Sequence, residues 1–266
     1  YRRQRQMCIR DRLEPTYAAA SHGAPDILYI RTDVTSEQAV AQAQAQIIER
    51  FGRSPSYVVS CAGVAPAGAL LTSPVKMFTR AFDINAAANV VLAQAFLPAM
   101  ISNNHGHFMT VASSASYFSL PNLCAYSMSK TAALAFLETL RAELRAVYKA
   151  CRVRTSVVTP TKVRTILAEG LNAGDDDFLM PVLEPIQVGR AMADTLNSGL
   201  SRNISLPLGS ALLPYLRALP EWYRGALRAL GKTDALVTPE SISRGQQAIR
   251  GHQSNLDHLK KLGVHS

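Results

Sequence analysis

Leu134, Leu137, Leu140, Leu144 and Val147 recur at spacings of 3, 3, 4 and 3, with Glu138, Arg141, Glu143 and Arg145 falling between them. That stripe predicts an amphipathic helix with its leucines on a core. A second long helix is predicted from Ser73-Pro74 onward. It has a capping serine, a proline in its first turn, and apolar residues from Phe78 through Phe82, Val90, Leu92, Phe96 and Met100. A third opens at Thr35, with Gln38 three residues on as in a capping box, and stops near Gly52. Around these helices lie β-type runs at 27–32, 56–60, 107–112 and 153–158, and an edge strand at 203–207. Strands and helices alternating at these lengths predict an α/β fold with a parallel sheet, and no internal repeat appears.

At 266 residues and 48% hydrophobic composition, the chain has enough apolar material for one substantial core. The four cysteines, Cys8, Cys61, Cys124 and Cys151, are scattered, which points to a reducing compartment. They and the six histidines lack metal-ligand spacing, so no metal is expected. The net charge of +9 sits mainly at the ends. Residues 1–12 carry five arginines against one aspartate, and residues 241–266 carry four basic residues against one acid. The remaining body is close to neutral, which argues against a nucleic-acid groove; attraction to anionic lipid fits the same charge. The first twelve residues have no helical or strand period and read as a basic extension or a foreign sequence joined to the chain. No run of about eighteen apolar residues occurs, so no span across a bilayer is expected in this stretch of chain.

The chemistry concentrates in Ala125-Tyr126-Ser127-Met128-Ser129-Lys130. Four-residue spacing on a helix puts the phenol of Tyr126 and the ammonium of Lys130 on one face. A tyrosine ordinarily titrates near pH ~10, and a fixed cation beside it favours phenolate, bringing proton exchange toward neutral pH. Ser113 lies upstream, at the carboxyl end of a predicted strand, where open α/β sheets bind ligands. Asp33-Val34-Thr35, Cys61-Ala62-Gly63, Asn85 in Phe82-Asp83-Ile84-Asn85, Thr159-Pro160 and Thr165 accompany them in order. Read singly, each has a plain alternative: a turn acid for Asp33, a polar helix residue for Asn85, a surface pair for Tyr126 and Lys130.

Taken together these residues resemble the short-chain dehydrogenase/reductases over about residues 24–235. The closest similarity is to the retinol dehydrogenase-like branch, carried by 96–100 (FLPAM), 138–144 (ETLRAEL) and Leu183-Glu184-Pro185. The resemblance implies a Rossmann-like doubly wound parallel sheet and NAD(P)-dependent interconversion of an alcohol and a carbonyl on a lipophilic retinoid-, steroid- or fatty-type substrate. In it Tyr126 exchanges the proton, Lys130 holds the nicotinamide ribose, Ser113 hydrogen-bonds the substrate oxygen, and Asn85 supports a relaying water. Ser114 stands in reserve for Ser113. Asp33, Val34, Cys61, Ala62 and Gly63 belong to the adenosine side, and Pro160 and Thr165 meet the nicotinamide carboxamide. A homodimer and an intracellular place at the endoplasmic reticulum membrane or lipid droplet surface are implied in the same way.

The sequence departs from the family pattern at Cys61, where asparagine is usual, and at Thr161-Lys162, where glycine follows the proline. It also lacks the first strand, the glycine-rich turn that cradles pyrophosphate, and the second strand, since Gly23 is the only glycine before Gly52. The expectation is a fragment of an oxidoreductase, inactive or impaired as it stands, or alternatively a noncatalytic membrane-surface or oligomerising protein that keeps part of the fold. The domain reading is a basic extension at 1–12, one Rossmann-like domain at 13–235 and a basic tail at 236–266. Within the domain, 165–185 reads as a lid or a solvated loop. The basic, amphipathic 208–232 stretch would pack on its own domain, pair with a second subunit or rest on a membrane, the mixture of Trp222 with arginines suiting the last.

Overall fold

The computed structural model describes residues 27–168, 181–230, 237–238, 240–244 and 247. The opening basic segment, residues 169–180 of the 165–185 loop and most of the basic tail lie outside them. Helix α1 (Glu37–Phe51) leads to β1 (Tyr57–Ser60). A long helix follows in three parts: α2 (Val75–Phe82), a π-helical turn (Asp83–Ala87) and α3 (Ala88–Ser102). Then come β2 (Gly106–Val111), α4 (Cys124–Ala146), β3 (Val153–Pro160), α5 (Pro185–Ser198), β4 (Asn203–Leu206), the short α6 (Leu213–Leu216) and α7 (Glu221–Leu230). The four strands pair in sequence order, all parallel.

Alternation along each strand divides the core into two layers. Phe108 and Val157 face α1, α3 and α4, where they meet Val40, Phe96, Leu97, Met100, Leu137 and Leu144. Their neighbours Met109 and Val158 face the opposite side, against Leu183 and Val188 at the start of α5. Helices therefore cover both faces, as the doubly wound expectation requires. A smaller cluster of Val64, Ala81 and Ala125, with Met77, Phe78 and Ile84 against it, seats the first turn of α4 on α2. Arg141 then ties α4 to the sheet, donating to Thr155 Oγ1 at 2.9 Å and to Asn203 Oδ1 at 2.9 Å.

Several expectations are corrected. Residues 27–32 form no strand; Ile27 and Tyr29 are about half exposed. An extended, β-branched segment becomes a strand only beside a partner, and among the described residues β1 is the last strand on that side. The cap of α1 is Ser36, whose Oγ accepts from Ala39 N–H, because Thr35 is already bonded to Asp33. At its other end Gly52 adopts φ 70°, a left-handed stop that glycine enters without steric cost. The long helix starts at Val75 with Pro74 as its cap and no side-chain bond from Ser73. Val147 drops out of the leucine stripe, 63% exposed, because α4 ends at Ala146. Helix 75–102 has the length and apolar composition to cross a bilayer, yet here it is packed along the sheet, burying Phe96, Leu97 and Met100.

One core residue carries a titratable ring. His107 is 1% exposed, its Nε2 pairs with Ser156 Oγ at 2.9 Å, and its Nδ1 has no partner. Burial, helped by the cationic Arg154 beside it in the β2–β3 register, lowers its pKa from 6.5 to about 4. The folded state thus prefers the neutral ring, while the unfolded chain takes up a proton below pH 6.5. Stability is expected to be level in this group's contribution above pH 6.5 and to fall progressively as pH drops toward 4. Urea unfolding across that range checks it. The loss should shrink in His107→Phe relative to its own value at pH 7, and an equal acid loss in both proteins would contradict the assignment.

Candidate active site

Parallel strands end at one edge, so the segments leaving β1, β2 and β3 gather there. β1 runs into Cys61-Ala62-Gly63, β2 into Ser113, and β3 closes on Pro160. α4 delivers Tyr126 and Lys130 to the same edge. Lys130 is 5% exposed, and its Nζ donates to the Val111 carbonyl at 2.7 Å, at the last residue of β2. Tyr126, one turn earlier, is half-buried. The structure thus puts both residues on adjacent turns of α4, with the ammonium buried and bonded to the strand end and the tyrosine half-buried.

Ser113 is buried, extended at φ −165°, and caps a single 3-10 turn, Ser114–Ser116. Its Oγ accepts from Ala115 N–H at 3.2 Å, which leaves the hydroxyl proton to be donated. Ser114 is half-buried in the turn itself, its carbonyl taken by Tyr117 and Phe118 N–H. Tyr117 is a second phenol close to Ser113 in the chain. Burial, and then the carboxylate of Glu138, push its pKa above the ordinary 10, opposed by Arg217, so it stays a neutral phenol.

Asn85 lies in the π-helical turn, 2% exposed. Its Oδ1 accepts from Val64 N–H at 2.7 Å, and its Nδ2 donates to the Val64 carbonyl and to Ser129 Oγ, both at 2.8 Å. Both amide hydrogens are therefore committed, which corrects the view of Asn85 as a plain polar helix residue and confines any role in holding water to its other polar atoms. Gly63 is brought to the same point. A Cβ there would stand 3.0 Å from Asn85 Oδ1 and 3.2 Å from Lys130 Nζ. The sequence suggested that a small residue at 63 lets the backbone approach a ligand; the contact it permits is with the protein's own lysine and asparagine.

Of the adenosine-side residues Gly63 joins this cluster, and the others have surroundings of their own. Asp33 accepts from Thr35 N–H and Thr35 Oγ1 within its own turn. Val34 lines an apolar cleft of about 610 Å³ together with Leu28, Ile30, Val40, Tyr57 and Phe96. Cys61 is an exposed free thiol. Pro160, the last residue of β3, is buried; beyond it Thr161 Oγ1 is buried with no partner, while Thr165 Oγ1 donates to the Val163 carbonyl. An orphaned hydroxyl at the strand end fits the polar carboxamide of a nicotinamide. Among the described residues no glycine-rich turn opens a helix to receive pyrophosphate, so the fit to NAD(P) covers the nicotinamide half alone.

Two residues that sequence reading missed are Ser129 and Asn89. Ser129 is fully buried between Asn85 and the Tyr126 carbonyl. Asn89 is buried beside the π turn. Their proximity to the site depends on the π turn, which sequence periodicity does not reveal.

The matching protein-family description is "short chain dehydrogenase", over residues 6–176. The chain is 40% identical over 131 residues to Dehydrogenase RED3 of Cochliobolus heterostrophus, covering 49% of this chain and 66% of that protein. It is 33% identical over 218 residues to estradiol 17-beta-dehydrogenase 11 of Pongo abelii, covering 81% and 70%. With epidermal retinol dehydrogenase 2 of Mus musculus it shares 31% over 178 residues, 67% of this chain and 57% of the relative. The chain thus spans less than two thirds of the length of some of these relatives. An archaeal alcohol dehydrogenase from Thermococcus sibiricus, complexed with 5-hydroxy-NADP, shares the fold at a TM-score of 0.62 and 22% identity, over 74% of this chain and 81% of that one.

Gly63→Ala should destabilise the protein by about 1–3 kcal/mol, because the methyl overfills the space between Asn85 and Lys130. Urea denaturation measures it. An unchanged midpoint would mean that the two side chains give way freely and do not hold the geometry described.

Proposed function

The chain belongs to the short-chain dehydrogenase family, on its retinol- and steroid-dehydrogenase side, and from that membership we propose an NAD(P)-dependent oxidoreductase interconverting an alcohol and a carbonyl on a lipophilic substrate. The observation that carries this reading is Lys130, buried and fixed to the end of β2 one helical turn from a half-buried Tyr126. In the oxidising direction the Ser113 hydroxyl orients the substrate oxygen, and Tyr126 as phenolate takes the proton from it; in the reducing direction the phenol returns a proton to the developing alkoxide. Lys130 keeps a positive charge by the phenol in both states and so lowers the cost of the phenolate. A nicotinamide, when bound, would supply or accept the hydride, and Lys130, Thr161 and Thr165 would hold its ribose and carboxamide. The domain runs from about residue 13 to 235 in this reading.

The lipophilic substrate and a membrane-surface location draw support from the carboxyl-terminal region. Leu208, Leu212, Tyr215, Trp222 and Leu230 are each more than two thirds exposed. Trp222 and Tyr223 stack edge-on, at 5.7 Å between centroids. Such an apolar, aromatic surface suits the boundary between lipid headgroups and acyl chains. A second reading, a noncatalytic protein that uses the same fold at a membrane, is favoured by this surface.

Fluorescence titration with NADH and NADPH separates the two readings: binding is expected for the enzyme, and none with either nucleotide favours the noncatalytic protein. Tyr126→Phe should lower alcohol/carbonyl turnover about a hundredfold or more while leaving nucleotide affinity within about twofold. Turnover retained in that variant would refute the role of Tyr126. In vesicle flotation, a Trp222→Ser, Leu230→Ser double variant should lose most of the bound fraction, and equal flotation would remove the membrane proposal.

A further inference from the structure

A phenol and an ammonium tune one another only while their separation is fixed, and two buried side chains outside the reacting set bear on that separation. They act on Asn85 from opposite ends. At its side-chain end, Asn85 Nδ2 donates to Ser129 Oγ at 2.8 Å, and the Ser129 hydroxyl donates to the Tyr126 carbonyl at 2.8 Å. Ser129 is fully buried, so the hydroxyl joins the π turn directly to the turn of α4 that carries Tyr126 and Lys130. At its main-chain end, the Asn85 carbonyl receives Asn89 Nδ2 at 2.8 Å, and the Ala86 carbonyl receives the same nitrogen at 3.1 Å. A π turn widens the helix and leaves carbonyls without their usual partner, which a carboxamide one turn on can satisfy. Asn89 Oδ1 in turn accepts from Thr110 Oγ1 at 3.2 Å.

Thr110 immediately precedes Val111, whose carbonyl holds Lys130. The hydrogen bonds therefore form a closed circuit: from β2 through Thr110, Asn89, Asn85 and Ser129 to the turn of α4 at Tyr126, and back to β2 through Lys130. Gly63 supplies the room at its centre. Such a circuit has few ways to relax, because Thr110, Asn89, Asn85, Ser129 and Lys130 are all buried, and a bond lost among them leaves a polar atom without water to replace it.

We propose that Ser129 and Asn89 are positioning residues for the alcohol/carbonyl chemistry, resting on the function proposed above: by clamping Asn85 at both ends they set where Tyr126 sits relative to Lys130. Neither touches a reacting atom. The contrasting view makes them helix residues that satisfy their own polar groups and contribute stability alone.

The two views differ in what they do to Tyr126. The 266-residue chain is prepared unaltered, as Ser129→Ala and as Asn89→Leu, each also with Tyr126→Phe. Subtracting tyrosinate absorbance titrations within each pair isolates the Tyr126 titration. Each of the two variants should move its midpoint upward by about half a unit or more, a roughly threefold loss of phenolate at a given pH. Unmoved midpoints, with only the melting temperature lowered, would overturn the proposal in favour of a purely structural role. A shift in one variant alone assigns positioning to that residue and overturns the joint clamp. If Ser129→Ala does not fold, Asn89→Leu decides on the same readout. Should Tyr126 in the unaltered chain titrate at the ordinary ~10, the acid/base reading fails, while a difference between the chain and its variants still decides the positioning.

Discussion

A buried ammonium must find an acceptor, and in this protein it finds the last carbonyl of β2. The bond from Lys130 Nζ to Val111 at 2.7 Å joins the central strand to the helix that packs across it, at the edge where the parallel strands end. Its position explains its neighbours. Gly63 is glycine because the lysine and Asn85 occupy the space of a side chain, and the helix before Asn85 widens into a π turn where the asparagine reaches across to Val64 and Ser129. The leucine stripe of α4 holds the whole helix on the sheet, so the ammonium is carried to its acceptor by apolar packing. Charge, packing and backbone irregularity thus converge on one carbonyl.

Much of this was legible in the sequence because it depends on local periodicity. The Leu134–Leu144 stripe, the run around Phe108 and the stop at Gly52 each follow from side-chain spacing or from one residue's backbone freedom, and the structure places all three as expected. The pairing of Tyr126 with Lys130 on one helical face is legible for the same reason. Ser129 and Asn89 were not, since their partners lie in other elements and the π turn shifts the register by one residue. The failure at 27–32 has a different cause. A β-type composition states a preference for extended backbone, and whether a strand results is decided by a neighbour that composition does not describe. The cap at Ser36 was displaced by one position because Thr35, with the same capping chemistry, is spent on Asp33.

The sheet has two contrasting borders. On one, β4 pairs with β3, and the chain beyond it reaches Phe118, Ser119 and Asn122. On the other, β1 adjoins the cleft lined by Leu28, Ile30, Tyr57 and Phe96, with apolar side chains on both walls. The proposed site lies between them, at the ends of β1 to β3. Thr161 keeps an unpartnered buried hydroxyl at that edge, whereas the side chains of Asn85 and Ser129 are engaged.

The carboxyl-terminal chain closes over the segment between Ser113 and α4. Arg228 donates to the Ser119 carbonyl and lies 4.4 Å from the ring centre of Phe118, and Asn122 donates to the Val237 carbonyl across 115 residues of sequence. Contacts of such long range form late, because closing a large loop costs chain entropy before it returns any. During synthesis the segment that precedes Tyr126 emerges from the ribosome well before Arg228 and Val237 exist. A nascent chain therefore presents Tyr126 and Lys130 before the residues that wall the loop ahead of them have been made.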